Sequence, residues 1–196
     1  MLGPTFSALT GLNNASKRLQ NSANNLANVQ TAGFKKGEVT SVQSKSGGTR
    51  VNSVAKVNTQ GGLIPTNNPL DLAIEGNGFF QVTNPNGGVS FTRSGSFSLN
   101  GAGQVVDSSG NSLIPNINVP AGNNGISIGA NGQISTQTAG GLEVAGQIQL
   151  ANFNNPAGLS AEGGNLLNES AASGAPVVGN PNQGPFGSVL SGFLEG

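Results

Sequence analysis

The sequence predicts a mainly β protein with one N-terminal α-helix, the β part forming an irregular sandwich or barrel-like domain. Three observations carry this expectation. Apolar residues recur at steps of three or four over residues 4–29, a helical spacing that no other stretch sustains for as long. From residue 61 the chain breaks into short apolar runs of strand length. Turn chemistry separates those runs, and the 32 glycines among 196 residues are about twice the usual share.

The helix comes first. Pro4 suits a first-turn position, where its missing N–H costs nothing. Leu9, Leu12, Ala15, Leu19, Ala23 and Leu26 fall on one stripe, and Leu12, Leu19 and Leu26 are seven apart, as in a helix-pairing seam. Opposite them lie Asn13, Asn14, Lys17, Gln20, Asn21, Asn24 and Asn28. Gly33 is placed to end the helical stretch in a left-handed cap, and Phe34 follows as an apolar anchor. Residues 1–36 are therefore read as one segment, a helix with its closing turn. The seam has two readings at this level: a helix packed on the β domain, or a helix that holds another helix.

Residues 37–60 are polar and β-branched. Val39, Val42, Val51, Val54 and Val57 suggest extended segments around a SerGlyGly turn at 46–48, and so a connector. Over 61–153 strands are expected at 70–76, 79–83, 89–93, 96–100, 104–107, 111–115, 125–129, 132–136 and 142–153. Turns are expected at AsnProAsnGlyGly 84–88, AsnGlyAlaGly 100–103 and AlaAsnGly 130–132. Residues 154–196 read as an extended return segment, looser through 187 and rich in Asn, Pro, Gly and Ala. The turn-like echoes have no fixed period, so no solenoid is implied.

Composition removes much chemistry. There is no Cys, His, Trp or Tyr, which excludes thiolate and imidazole catalysis, disulfides and the common zinc sites. Among the acids only Asp71 and Glu75 are close; four apart on a strand they stand roughly 13 Å apart, wider than a paired-carboxylate site needs. The glycines at 76, 78, 95, 101 and 103 lead into strands rather than a helix followed by Lys, so they serve turns and not a phosphate cradle. No catalytic residue, cofactor or metal ligand is expected. The formal net charge of zero hides an asymmetry. Residues 1–60 carry seven basic side chains against Glu38, a balance of +6, while residues 61–196 carry Arg93 against seven acids, a balance of −6. Such halves attract one another, within a chain or between copies. The basic residues are scattered without aromatic interleaving, so nucleic acid is not an expected partner. No run of 18 apolar residues exists for membrane insertion, and the first residues lack the pattern of a cleaved secretory signal.

Four stretches in order carry a family resemblance: ANNLANVQTAGFKK (23–36), GGLIPTNNPLDLAIEGNGFFQV (61–82), FTRSGSFSLNGAGQVVDSSGNSL (91–113) and LSGFLEG (190–196). Together they resemble the bacterial flagellar rod and hook proteins, and GLSAEGGNLLNESAASGAP (158–176) is most similar to the distal-rod members. The resemblance implies an elongated subunit of the axial structure, whose terminal helices pair as a coiled coil beneath an outer β-rich domain, with residues 1–36 as the N-terminal assembly helix. It implies a non-enzymatic structural role in the basal body, where the rod crosses the periplasm as drive shaft and export channel. The implied partners are copies of the same chain in a helical polymer, neighbouring rod and hook proteins, and the flagellar type III export apparatus, which takes the chain without signal cleavage.

The resemblance marks a signature turn at Asn24, Asn25, Asn28, Gly33 and Phe34, and a β-domain motif at Asp71, Gly76, Gly78, Phe79, Phe80, Arg93, Gly95 and Phe97. The asparagines are either solvated or satisfy backbone groups where helix meets connector. Asp71, Glu75 and Arg93 are either surface charges or members of an ion pair within or between subunits. Two departures stand out: the family continues past the GlyPheLeuGluGly point with a C-terminal helix, and the 37–60 connector is shorter than expected for a distal-rod member. A second function class is a secreted β-rich module binding glycan or a cell surface, against which stands the lack of Trp and Tyr platforms.

Overall fold

A computed structural model describes residues 3–28, 33–43, 49–56, 60–84, 86–120, 125–138 and 140–196. Contacts divide the chain into two units, residues 1–31 with 35–59, and residues 32–34 with 60–196.

The first unit is a helix and a hairpin. Helix α1 spans Gly3–Ala27, with Asn28 in the turn that follows; position 29, the expected end, lies outside the described residues. Strands β1 (Gly37–Gln43) and β2 (Thr49–Lys56) pair antiparallel from Gly37 opposite Lys56 to Gln43 opposite Thr49, with a bulge between Thr40 and Ser41. Val39, Val42, Val51 and Val54 lie on these strands. Val57 and the SerGlyGly turn at 46–48 lie outside the described residues.

The second unit is all β. It begins with β3 (Leu63–Pro65), β4 (Leu72–Glu75), β5 (Phe79–Thr83), β6 (Val89–Thr92), β7 (Phe97–Leu99), β8 (Val105–Asp107) and β9 (Ser112–Ile114). It continues with β10 (Ile126–Ile128), β11 (Gln133–Thr138), β12 (Gly141–Gln147) and β13 (Leu150–Asn152). It ends with β14 (Ser160–Gly163), β15 (Leu166–Asn168), β16 (Val177–Gly179), β17 (Ser188–Ser191) and β18 (Phe193–Glu195). The largest sheet runs β14-β15-β6-β5-β9-β8-β7. One edge of β5 is shared: Phe79 and Phe80 pair with β13, and Gln81–Thr83 pair with β9. Strands β10-β11-β12 form a smaller sheet, and β17 and β18 return to pair with β4 and β3. The mainly β class with one N-terminal helix is the observed fold, and none of the described sheets closes into a barrel.

Strand β5 shows why the apolar run FFQV is needed. Successive side chains on a strand point to opposite faces. Phe80 and Val82 enter the main core with Leu72, Ile74, Phe97, Leu113 and Leu150. Phe79 enters a second cluster with Phe91, Ala151, Phe153 and Leu167. Phenylalanine supplies the aromatic packing of both faces: Phe80 meets Phe97 edge-on at 5.2 Å, and Phe91 meets Phe153 edge-on at 4.8 Å.

Two expectations need correction. The run 142–153 is two strands in different sheets: up to Gln147 it pairs with β11, and from Leu150 it pairs instead with β5 and β16. The segment 154–187, read as loose, supplies β14, β15 and β16; these strands of three or four residues are hidden in sequence by their Asn, Pro and Gly punctuation.

Candidate assembly surfaces

In the first unit the amphipathic helix turns its polar side inward and its apolar side outward. Asn14 is 8% exposed, and its Oδ1 accepts from the Ser41 hydroxyl at 2.9 Å. Arg18 donates to the same hydroxyl at 3.3 Å. Asn21 Nδ2 donates to the Gly37 carbonyl at 2.7 Å. Asn25 makes two bonds to the same residue, donating to the Gly37 carbonyl and accepting from its N–H, each at 2.9 Å. Positions 14, 18, 21 and 25 are spaced four, three and four, one stripe of a helix. The opposite stripe is bare: Leu9 is 57% exposed, Leu12 70%, Leu19 72% and Leu26 74%. Ala15 and Ala23 between them are exposed as well. Covering a leucine contributes about 1.5–3 kcal/mol, a stabilisation that this stripe leaves unrealised among the described residues.

The helix end is closed by its own asparagines. The backbone N–H and Nδ2 of Asn28 both donate to the Asn24 carbonyl, at 3.2 and 2.9 Å. Gly33 does adopt a left-handed φ of +71°, but it does not cap the helix. It belongs to the second unit, where its N–H donates to the Glu195 carbonyl at 2.7 Å. A Cβ there would stand 2.6 Å from the Ser94 Cα and N, so only glycine fits. Phe34 beside it is half-buried.

The β-domain motif gathers around a buried ion pair. The Arg93 guanidinium lies 3.6 Å from the Glu195 carboxylate, with both side chains almost wholly out of solvent. Arg93 also donates to the Ile74 and Gly76 carbonyls at 3.3 and 2.7 Å and stacks over the Phe79 ring at 5.3 Å. Glu195 in turn accepts from the Gly61 N–H at 2.9 Å. Burial lowers the Arg93 pKa from its ordinary value, and the neighbouring Glu195 partly restores it. Arg93 is therefore the internal partner in an ion pair, and its acid is Glu195, a residue that sequence reasoning did not single out because 102 positions separate the two. Asp71 is buried, accepts from Asn68 Nδ2 at 3.1 Å, and bridges to Ser96. Glu75 is exposed.

The motif glycines mark close approaches. A Cβ on Gly95 would fall 1.6 Å from the Leu72 carbonyl oxygen, across a strand contact in which the Leu72 N–H donates to the Gly95 carbonyl at 2.9 Å. Gly76 and Gly78 hold φ of +107° and +134°, and the turn they shape aims Phe79 and Phe80 to opposite faces of β5. Among the described residues, no three acidic side chains come together to hold a metal ion, and no helix is long and apolar enough to cross a membrane.

Residues 73–136 match the family described as the flagellar hook protein FlgE/F/G D1 domain. The chain is 34% identical to the flagellar basal-body rod protein FlgG of Agrobacterium fabrum over 96% of its own length and 82% of the relative's. It is 33% identical to the FlgG of Bacillus subtilis over 100% of its own length and 84% of the relative's. It is 32% identical to the flagellar hook protein FlgE of Brucella melitensis over 93% of its length, but only 44% of that longer protein. With about a third of its positions shared with rod proteins that it covers by more than four-fifths, the chain belongs to the flagellar rod and hook protein family.

Proposed function

We propose that this chain is a structural subunit of the flagellar rod, resident in the basal body, that self-assembles through its helical part. The observation that carries this reading is the bare leucine seam on α1 beside a polar face already fastened to its own hairpin. A lone helix with such a seam is incomplete. Hydrophobic pairing with another helix of the axial assembly would bury Leu12, Leu19 and Leu26 at heptad spacing, with Ala15 and Ala23 allowing close approach. Copies of the chain and neighbouring rod and hook proteins are the partners, the type III export apparatus is the delivery route, and the assembled tube carries torque and encloses the export channel. The relatives are named as rod and hook proteins, which supports a structural rather than catalytic role. Nothing in the comparisons or the site favours the glycan-binding reading.

Electron microscopy of basal bodies from cells deleted for this gene, with a swimming assay, tests the reading. Rods that stop short and carry no hook are expected, with both restored by the wild-type gene. Intact basal bodies and normal swimming would overturn it.

A further inference from the structure

The helix carries a second heptad in step with the first. Leu12, Leu19 and Leu26 are each followed two residues later by Asn14, Asn21 and Asn28. Two residues turn an α-helix by about 200°, so a Leu-x-Asn repeat every seven residues places leucine and asparagine on opposite sides of α1 from Leu12 onward, with Asn28 falling in the turn just after its end. The structure puts both sides to different use. Asn14, Asn21 and Asn25 hold the hairpin through Ser41 and Gly37, and the leucines stand bare. The hold on Gly37 involves its carbonyl and its N–H together, in three bonds from two asparagines, at the point where β1 begins. A third strip, with Asn13, Lys17, Gln20 and Asn24, is exposed between the two.

We propose that Asn21 and Asn25, supported by Asn14, are positioning residues of assembly: they fix the rotation of α1 against the β1–β2 hairpin so that its partner helix meets the Leu12–Leu19–Leu26 face alone. This rests on the rod-subunit reading and deepens it. A helix whose polar side is free could rotate within a bundle and accept partners on more than one side. A helix clipped along that side has one seam and one approach. The clip uses directional hydrogen bonds where a hydrophobic contact would compete with the seam itself. Asparagine's paired donor and acceptor match the carbonyl and the N–H of Gly37 in a way that alanine, serine or leucine cannot.

The chain has no cysteine, so single cysteines report cleanly on each face. In the deletion strain, the full chain carrying Ala23→Cys on the seam or Gln20→Cys on the flanking strip would be assembled into rods and labelled with a maleimide. In the otherwise wild-type chain, the seam cysteine is expected to label at least about tenfold more slowly than the flank cysteine, as for a buried helix contact. Asn21→Ala with Asn25→Ala removes three hydrogen bonds worth roughly a factor of five each, and the contrast between the two positions is expected to collapse toward unity. If that double variant builds no rods, Asn21→Ala alone carries the same comparison, with a partial loss of contrast expected. An unchanged contrast in the variant that does assemble, with unchanged swimming, would overturn the positioning role while leaving the rod reading intact. Intact rods in the deletion strain itself would instead remove the rod reading, and this inference with it.

Discussion

At the scale of single residues, the second unit depends on contacts that no other side chain could make. Arg93 serves Glu195, two carbonyls and the Phe79 ring at once. Glu195 ties β18 to Gly61 through its carboxylate and to Gly33 through its carbonyl. Removing one member of a buried ion pair leaves the other charged and out of water, which costs about 3–5 kcal/mol. Arg93→Ala is therefore expected to lower stability by that amount in urea unfolding of the full chain. The signal is far-UV circular dichroism, since the chain lacks Trp and Tyr. Replacing both partners by neutral groups of similar size, Arg93→Met with Glu195→Gln, is expected to recover a large part of the loss. If the double variant is no more stable than Arg93→Ala, the carbonyl and ring contacts of Arg93 outweigh its ion pair. Arg93 was legible as a charge in a motif, but its partner was not. Pairing across 102 residues is a property of topology, and no local spacing announces it.

At the scale of elements, three hairpin turns use one device. Asn84, Asn100 and Asp107 each open a turn in which the residue's own carbonyl accepts from the N–H of a glycine three positions on, Gly87, Gly103 or Gly110. Those glycines hold φ of +81°, +80° and +85°. In each turn the side-chain oxygen also accepts from the N–H groups two and four positions on, such as Ala102 and Gln104 at 3.0 and 2.9 Å from Asn100. This is a three-residue hairpin loop with a left-handed glycine, braced by an Asx turn. Asn100→Ala removes three side-chain hydrogen bonds, two accepted by Oδ1 and one donated by Nδ2 to Gln104 Oε1, and is expected to cost about 1–2 kcal/mol in the same unfolding measurement, whereas Asn100→Asp, which keeps both accepted bonds and loses only the donated one, is expected to cost less than about 1 kcal/mol. Equal losses would mean that the side chain does not brace the loop. The turns at 84–88 and 100–103 were legible because AsnGly and GlyGly are strong local signals, and the strands around them followed. The turn at Asp107 and the strands β14–β16 were not. AspSerSerGly carries the same device in less conspicuous letters, and strands of three or four residues have too few positions to show alternation. The helix was legible almost to the residue, because 25 positions of periodicity average out local noise. Which of its faces would be covered was not. Amphipathicity identifies two sides, and the usual expectation that the apolar one faces the protein's own core is reversed here by three asparagines.

At the scale of the whole molecule, the proposed self-assembly would draw on two forces that respond oppositely to salt. The seam is apolar, and its burial is strengthened by excluded salts such as sulfate. The charge asymmetry is Coulombic, and at 0.15 M ionic strength it acts only within about 8 Å. The balance of +6 over residues 1–60 and −6 over 61–196 would favour a basic stretch of one copy beside an acidic stretch of the next, setting register while the seam supplies affinity. The basic residues are not equally available for this. Lys35 is only 8% exposed, while Lys17 and Lys36 are exposed on the surface, as are Glu75, Glu143, Glu162 and Glu169 on the acidic side. Reversing charge at the two exposed lysines, Lys17→Glu with Lys36→Glu, leaves the seam and the asparagine clip untouched. It moves the basic stretch from +6 to +2. Light scattering of the purified chain is expected to show wild-type self-association that weakens as sodium chloride rises from low to physiological concentration. For the reversed variant, association at low salt is expected to be weaker, with a flatter salt response. Identical salt curves for the two proteins would remove charge from the account of register and leave the leucine seam to specify assembly by itself.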